Sequence, residues 1–476
     1  MSSSSASAEQ DPGRSRSTWV ILAAAVAAGF VFRLYHVRDL PAWGDEYWGT
    51  IPFLRASTWR EFLDAVRAMG SAQAPGFPAL LYAWRRAFGD DLATLRLLSV
   101  VLGTATIPLV FAFGHRCFDR WAGLVAAWAL AFSPMHHWYS QSVRPYVLTM
   151  LLATLSLYTL VRAVREGGWP FWTTCPFANT LMVWTHWMAL FVVACEGVYL
   201  LSLLPKRPPE HRRVVFAWAA IQLLLLLPCA LYLLRYPPEN LGFAKPLPMD
   251  VIVSSLLGEA VPGFTSTFLG FKGAWLPPRV EPVGPLLGIV CLLSALFLAA
   301  SLAWLLQRQF SRTRSDCTPV GGLLLLIVLL PTATLAILNH LTGTLFLLAR
   351  YVLFAVPAKC AALGGWIATR RNAVVRSGLI SLLLLSLLVQ GAFLVREPTR
   401  TDWRRAAEHI REHASSDDLV AVDSILYAKI LAYHMPDRER PLVAANNLQC
   451  LVDLCALHLA QHETEPVFGP VDRSVW

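Results

Sequence analysis

Apolar residues run along this chain in blocks of about 17–25, interrupted by arginine clusters and prolines. A helical block of that length crosses the hydrocarbon of a bilayer, where every backbone N–H and C=O must be satisfied inside the segment. Spans are expected near 19–35, 95–114, 121–138, 145–163, 171–185, 187–204, 214–234, 284–306, 320–339, 345–367 and 377–395, about eleven in all. The pattern predicts a polytopic all-α membrane protein. The run from Trp19 is longer than a signal-peptide core, and no small-residue cleavage site follows it, so it is expected to stay as the first span.

Between the blocks other periods appear. Thr58-x-x-Glu61 has the form of a capping box, and Trp59, Phe62, Leu63, Val66 and Met69 then recur at helical spacing with Arg60, Asp64 and Arg67 among them. An interfacial helix in the first outer loop is the expected product, and Phe77, Leu80, Leu81 and Trp84 suggest a second over 77–88. The tail reads as a small α/β unit: helical over 402–414, strand-like over 419–423, helical over 424–434 and strand-like over 442–445.

Composition narrows the class. The chain is 56% hydrophobic and 15% charged, which leaves too little polar surface for ordinary water-soluble domains. Its formal charge of +9 resembles a nucleic-acid footprint until it is located. Alternating the spans puts Arg14/Arg16, Arg116/Arg120, Arg162/Arg165, Lys206–Arg213, Arg308–Arg314 and Arg370–Arg376 on one side. That side carries about sixteen basic and six acidic residues, and the positive-inside rule assigns it to the cytoplasm. The outer loops 36–94 and 235–283 are near neutral and the tail is net acidic. The positive excess is therefore a topology signal, and no nucleic-acid partner is expected. Nine cysteines scattered mostly through apolar blocks, as at Cys195, Cys229 and Cys291, argue against a disulfide framework or a zinc site.

Against so few charges, those at span boundaries stand out. Asp45 and Glu46 lie adjacent between Trp43 and Trp48, soon after the first span ends. A sheltered carboxylate beside a like charge can act as a general base, or the pair is a solvated acidic turn with tryptophan anchors. Ser133–Tyr146 joins two spans and holds His136, His137, Gln141, Arg144 and Tyr146. Its donors suit a phosphate or sugar, and the alternative is an arginine snorkelling from an aromatic belt. Arg350-Tyr351 interrupts an apolar run near the outer mouth of the tenth span, which marks either a functional site or a structural ion pair. His186 occupies a tight outer turn, where an ordinary interfacial histidine is the competing reading. Glu196 lies inside the sixth span and must pair or face a cavity.

The order of motifs resembles a known family. After the first span comes Trp43-x-Asp45-Glu46, then Phe88-Gly89-Asp90 leading to Leu95-Arg96-Leu97-Leu98-Ser99. Ser133-Pro134 with Ser140-Gln141-x-x-Arg144-Pro145-Tyr146 follows, then Leu155-Ser156-Leu157-Tyr158 with Arg162-Ala163, and finally Ala349-Arg350-Tyr351 before Pro357. This is similar to bacterial members of glycosyltransferase family 39, C-type (GT-C) membrane enzymes related to protein O-mannosyltransferases and lipid A aminoarabinose transferases. The resemblance is dense over 30–165, thinner to 400 and weak in the tail, where Asp402-Trp403-Arg404-x-Ala406-Ala407 still looks like the start of a small extracytoplasmic domain.

The resemblance implies a GT-C-like fold in a bacterial inner membrane: a cytoplasmic tail over 1–17, a transmembrane catalytic domain over 18–396 and an extracytoplasmic domain over 397–476. It implies transfer of a sugar from a polyprenyl-phosphate donor to an envelope acceptor, with inversion and with no cofactor or metal. Asp45 matches the catalytic acidic position, with Glu46 beside it. Arg144 and Arg350 would neutralise the phosphate, while His186, His137, Tyr351, Tyr146 and Gln141 are further contacts for phosphate or sugar. In one stretch the chain departs from the family: relatives commonly carry His-Pro-Pro after an acidic residue where this sequence reads Ser71-Ala72-Gln73-Ala74-Pro75-Gly76-Phe77-Pro78. A transporter or flippase of a lipid-linked glycan is the rival reading, but such proteins place functional charges near the bilayer midplane, often within internal repeats.

Overall fold

The computed structural model describes residues 12–40, 42, 46, 50, 53, 56–70, 73–206, 208–236, 284–310, 320–342, 349–396, 403–413, 420–422, 431, 435 and 442–444. The chain divides into two units, Met1–Tyr35 with Val66–Arg396, and His36–Ala65 with Glu397–Trp476. In chain order the helices are α1 (Pro12–Leu34), α2 (Trp59–Met69), α3 (Gly76–Phe88), α4 (Leu92–Cys117), α5 (Arg120–Ala131), α6 (Pro134–Ser140), α7 (Tyr146–Glu166) and α8 (Trp169–Thr185). They continue with α9 (Leu190–Leu203), α10 (Pro209–Arg235), α11 (Gly284–Phe310), α12 (Val320–Thr342), α13 (Val356–Ala368), α14 (Ala373–Arg396) and α15 (Trp403–His413). Short 3-10 turns at Trp187–Ala189 and Ala349–Ala355 lead into α9 and α13.

Among the described residues eight helices are long and apolar enough to cross a membrane. They lie in α1, α4, α7, α10, α11, α12 and α14, and in Arg350–Ala368, where a 3-10 turn runs into α13. The other three expected spans are helical but shorter, with 12 residues in α5, 17 in α8 and 14 in α9. The span expected over 121–138 is in fact two helices. Ser133 caps a new start by accepting the His136 N–H, with Pro134 in the first turn, so α5 stops before it. At 1.5 Å per residue α5 reaches only about 18 Å.

Its composition suits a different task. Ala122–Ala131 are buried apart from Trp128, against α4 on one side and α13 on another. Lipid offers apolar side chains as good a home as protein does, so close backbone approach has to supply the contact. Gly364 of α13 makes it possible, since a Cβ there would come within 2.2 Å of the Ala122 carbonyl oxygen.

Polar groups inside the bundle are tied across helices. Glu196 of α9 accepts from Ser156 of α7 at 2.7 Å and from Asn179 of α8 at 2.6 Å, and Asn179 also donates to Gln222 of α10 at 3.0 Å. The intramembrane carboxylate thus has its partners on two neighbouring helices, and Asn179 carries the tie on to a third. A second tie joins α11 to α14, where Ser294 and Ser386 lie 2.7 Å apart and Gln390 donates to Ser294 at 3.0 Å.

The second unit contains the start of α2, where the expected capping box forms. Thr58 accepts the Glu61 N–H at 3.2 Å, and Glu61 accepts the Ser57 N–H at 2.8 Å, which lowers the Glu61 pKa below its ordinary value. Further on, α15 buries Trp403 and Ala407, and strands β1 (Val420–Val422) and β2 (Leu442–Ala444) pair in parallel, Val420 opposite Leu442. The second outer loop beyond 236 and the helix expected over 424–434, apart from Leu431, lie outside the described residues.

Candidate functional site

Three chain segments meet at the N-terminal end of α7. The segment before α7 is pinned from both sides. Ser99 of α4 donates to the Ser142 carbonyl at 2.7 Å, while Gln141 donates to the carbonyls of Arg33 and Tyr35 at 2.9 and 2.6 Å. Pro145 then starts the helix, and Arg144 is left as the last side chain before it. Its Cζ lies 5.7 Å from the centre of the Tyr146 ring.

The second segment is the turn between α8 and α9. His186 is extended there, and its Nδ1 accepts the Met188 N–H at 3.3 Å, so the ring hydrogen of the neutral form belongs on Nε2. The third segment is the 3-10 turn that opens with Arg350 and Tyr351. Aromatic rings link the three: Tyr146 to His186 with centroids 5.5 Å apart, and His186 to Tyr351 at 5.8 Å. Arg350 carries its Cζ 5.5 Å from the Tyr351 ring. Five of the expected residues, Arg144, Tyr146, His186, Arg350 and Tyr351, therefore form one cluster.

Electrostatics make the cluster distinctive. Burial lowers the His186 pKa, and the positive charges of Arg144 and Arg350 lower it further, to about 3. The result is a neutral imidazole under the influence of two fixed cations. An anion with several oxygens suits such a site, because charge-assisted bonds to guanidinium are the strong ones.

Other expected residues have partners of their own. His137 is stacked on Phe32, centroids 3.9 Å apart, and Gln141 serves the end of α1 as described above. Glu46 is buried, and its carbonyl accepts the Thr50 N–H at 3.1 Å in the second unit. Asp45 lies outside the described residues.

Two further participants were not among the expected site residues. Gln73 accepts from Arg144 Nη1 at 3.3 Å. It reaches the cluster because Gly76 lets the start of α3 press against the end of α8, where a Cβ would lie 2.6 Å from the Trp184 carbonyl oxygen. Arg33 is the other, fully buried at the end of α1. It donates to Gly29 O, Ala131 O, Leu130 O, Ser140 Oγ and His136 Nδ1 at 2.7–3.2 Å. A guanidinium has five N–H groups, so Arg33 has none left for a ligand and acts as a clamp from α1 to α5 and α6.

Comparisons with known proteins agree with this architecture. Residues 72–232 match the family model described as dolichyl-phosphate-mannose-protein mannosyltransferase. No curated protein matches the chain. Among solved structures, ArnT from Cupriavidus metallidurans bound to undecaprenyl phosphate is similar, with a TM-score of 0.55 and 12% identity over 93% of this chain and 88% of that one. The apo form of the Archaeoglobus fulgidus oligosaccharyltransferase superposes with a TM-score of 0.53 and 12% identity, over 90% of this chain and 64% of that one. The chain has the membrane-embedded GT-C fold that these two share.

Proposed function

We propose that this protein is a membrane glycosyltransferase that moves a sugar from a polyprenyl-phosphate donor to an envelope acceptor on the extracytoplasmic face. The observation that carries the reading is the run of ring contacts that brings Arg144 and Arg350 to the same cluster as His186. Two lines support it: the match of residues 72–232 to a mannosyltransferase model, and undecaprenyl phosphate bound in the similar ArnT.

The chemistry follows from the leaving group. The acceptor hydroxyl oxygen attacks the sugar C1 from the face opposite the phosphate, and the C1–O bond breaks with its electron pair going to the phosphate oxygen. The hydroxyl proton passes to the Asp45 carboxylate as general base, with Glu46 as a supporting carboxylate. Attack from the opposite face inverts C1. The departing polyprenyl phosphate is a stable anion, so it needs charge neutralisation more than a proton, and Arg144 and Arg350 supply it. His186 offers a neutral donor, with the rings of Tyr146 and Tyr351 beside it. The catalytic region is 18–396, and 397–476 is a small extracytoplasmic domain.

The test is to incubate the purified protein with a panel of polyprenyl-phosphate sugars and follow loss of sugar and release of polyprenyl phosphate. One donor is expected to be consumed, and Asp45→Asn should lower its turnover by about 10²-fold or more. Movement of an intact donor across a vesicle membrane, with no C1–O cleavage, would instead establish a flippase.

A further inference from the structure

Gln73 lies in the stretch where the sequence departs from the family pattern, and the geometry gives it a defined job. Arginine has only donors, so the amide atom 3.3 Å from Arg144 Nη1 is the carbonyl oxygen Oε1. That contact fixes the flip of the amide, which the side chain alone would leave open. The NH2 group then faces away from Arg144. Nε2 is closed off from solvent and has no hydrogen-bond partner among the described residues. Nor does the segment have room to move towards α8, since Gly76 is already against the Trp184 backbone.

A buried donor left unpaired is costly, and native structures rarely keep one without an occupant. Charge recognition at this site already belongs to Arg144 and Arg350. A neutral amide donor beside them matches a neutral oxygen, and in a sugar phosphate the neutral oxygens are on the sugar. We propose that Gln73 is a specificity-determining residue whose Nε2 donates to a hydroxyl of the donor sugar, while its Oε1 holds Arg144 toward the phosphate. The proposal rests on the reading of the cluster as a polyprenyl-phosphate sugar site. A site built to hydrogen-bond one hydroxyl rejects analogues lacking it, because the donor is then stranded.

The test measures binding to the full-length protein in detergent. The probes are bare polyprenyl phosphate, the polyprenyl-phosphate sugar that binds wild type best, and versions of it lacking one hydroxyl each. In wild type one deoxy donor should bind about tenfold more weakly than its parent. In Gln73→Leu that difference should vanish, with bare polyprenyl phosphate still bound. Gln73→Met, which keeps the length of the side chain but has neither amide donor nor charge, should behave the same way and stands in if the leucine variant does not fold. Persistence of every deoxy penalty in both variants overturns the proposal. So does an equal loss of bare polyprenyl phosphate and sugar-linked donor, which would reduce Gln73 to a support for Arg144. Arg144→Ala provides the separate control: if it binds polyprenyl phosphate as wild type does, the site reading fails, whatever Gln73 does. If no polyprenyl-phosphate sugar binds wild type, both fall.

Discussion

His186 is buried and feels two guanidinium groups, and its surroundings decide its charge. With a pKa of about 3 it stays neutral where an ordinary histidine would protonate. Below about pH 6.5 the unfolded chain therefore binds a proton that the native chain refuses, so His186 makes stability fall as pH drops from neutral toward 4. His186→Asn keeps an acceptor for the Met188 N–H and does not titrate. Thermal melts at pH 7 and pH 4 should show a smaller acid loss in that variant than in wild type, and an equal loss would contradict the shift. At this scale the sequence was informative about which residues carry chemistry. Arg144 and Arg350 are conspicuous because each is a charge among aromatic and apolar neighbours. It could not say that they share a histidine, since 206 positions separate them (350 − 144) and only packing joins them. Arg33 shows the opposite case: an arginine at a span edge whose donors are all spent inside the protein, which no local pattern reveals.

The helices owe their existence to the apolar blocks, and their lengths to local stops. Most expected spans are found within a few residues of where periodicity and flanking arginines put them. The run over 121–138 looks like one span because Phe132 and Met135 keep it apolar across the Ser133-Pro134 restart, and hydropathy is insensitive to capping. Between elements, Glu196 shows how polar side chains fasten a bundle that has no hydrophobic drive of its own. Its hydrogen bonds, with the onward bond from Asn179 to Gln222, connect α7, α8, α9 and α10. Glu196→Ala would strand the Ser156 hydroxyl and an Asn179 amide hydrogen, at about 1–3 kcal/mol for each buried group. Glu196→Gln keeps an acceptor for one of them and should cost less. Melting temperatures in detergent should rank wild type above Gln above Ala, and an alanine variant as stable as wild type would show that the tie contributes nothing.

Across the membrane unit, the two ends of α7 differ in character. At its start lie Arg144, Tyr146 and His186; at its end Glu166 pairs with Arg116 and Arg162, and Arg165 donates to the Cys117 carbonyl at 3.1 Å. With 21 residues at 1.5 Å each, α7 holds these groups about 30 Å apart, the thickness of a bilayer core. If the basic end is cytoplasmic, as the positive-inside rule requires, the cluster opens outward and the tail lies outside. In a cysteine-free background, a cysteine at Ser311 should resist an impermeant thiol reagent in intact cells, and one at Ser474 should react. The reverse pattern would overturn the orientation. The sequence by itself determined the membrane class, most of the helices and the short roll of boundary charges, because helix length, capping and hydropathy are local properties of the chain. Only the tertiary structure decided which of those charges meet, that Gln73 joins them, and that Arg33 and Glu196 spend their polarity on neighbouring helices. Contacts between residues far apart in sequence depend on the packing of whole helices, and small residues such as Gly76 and Gly364 set how closely those helices approach.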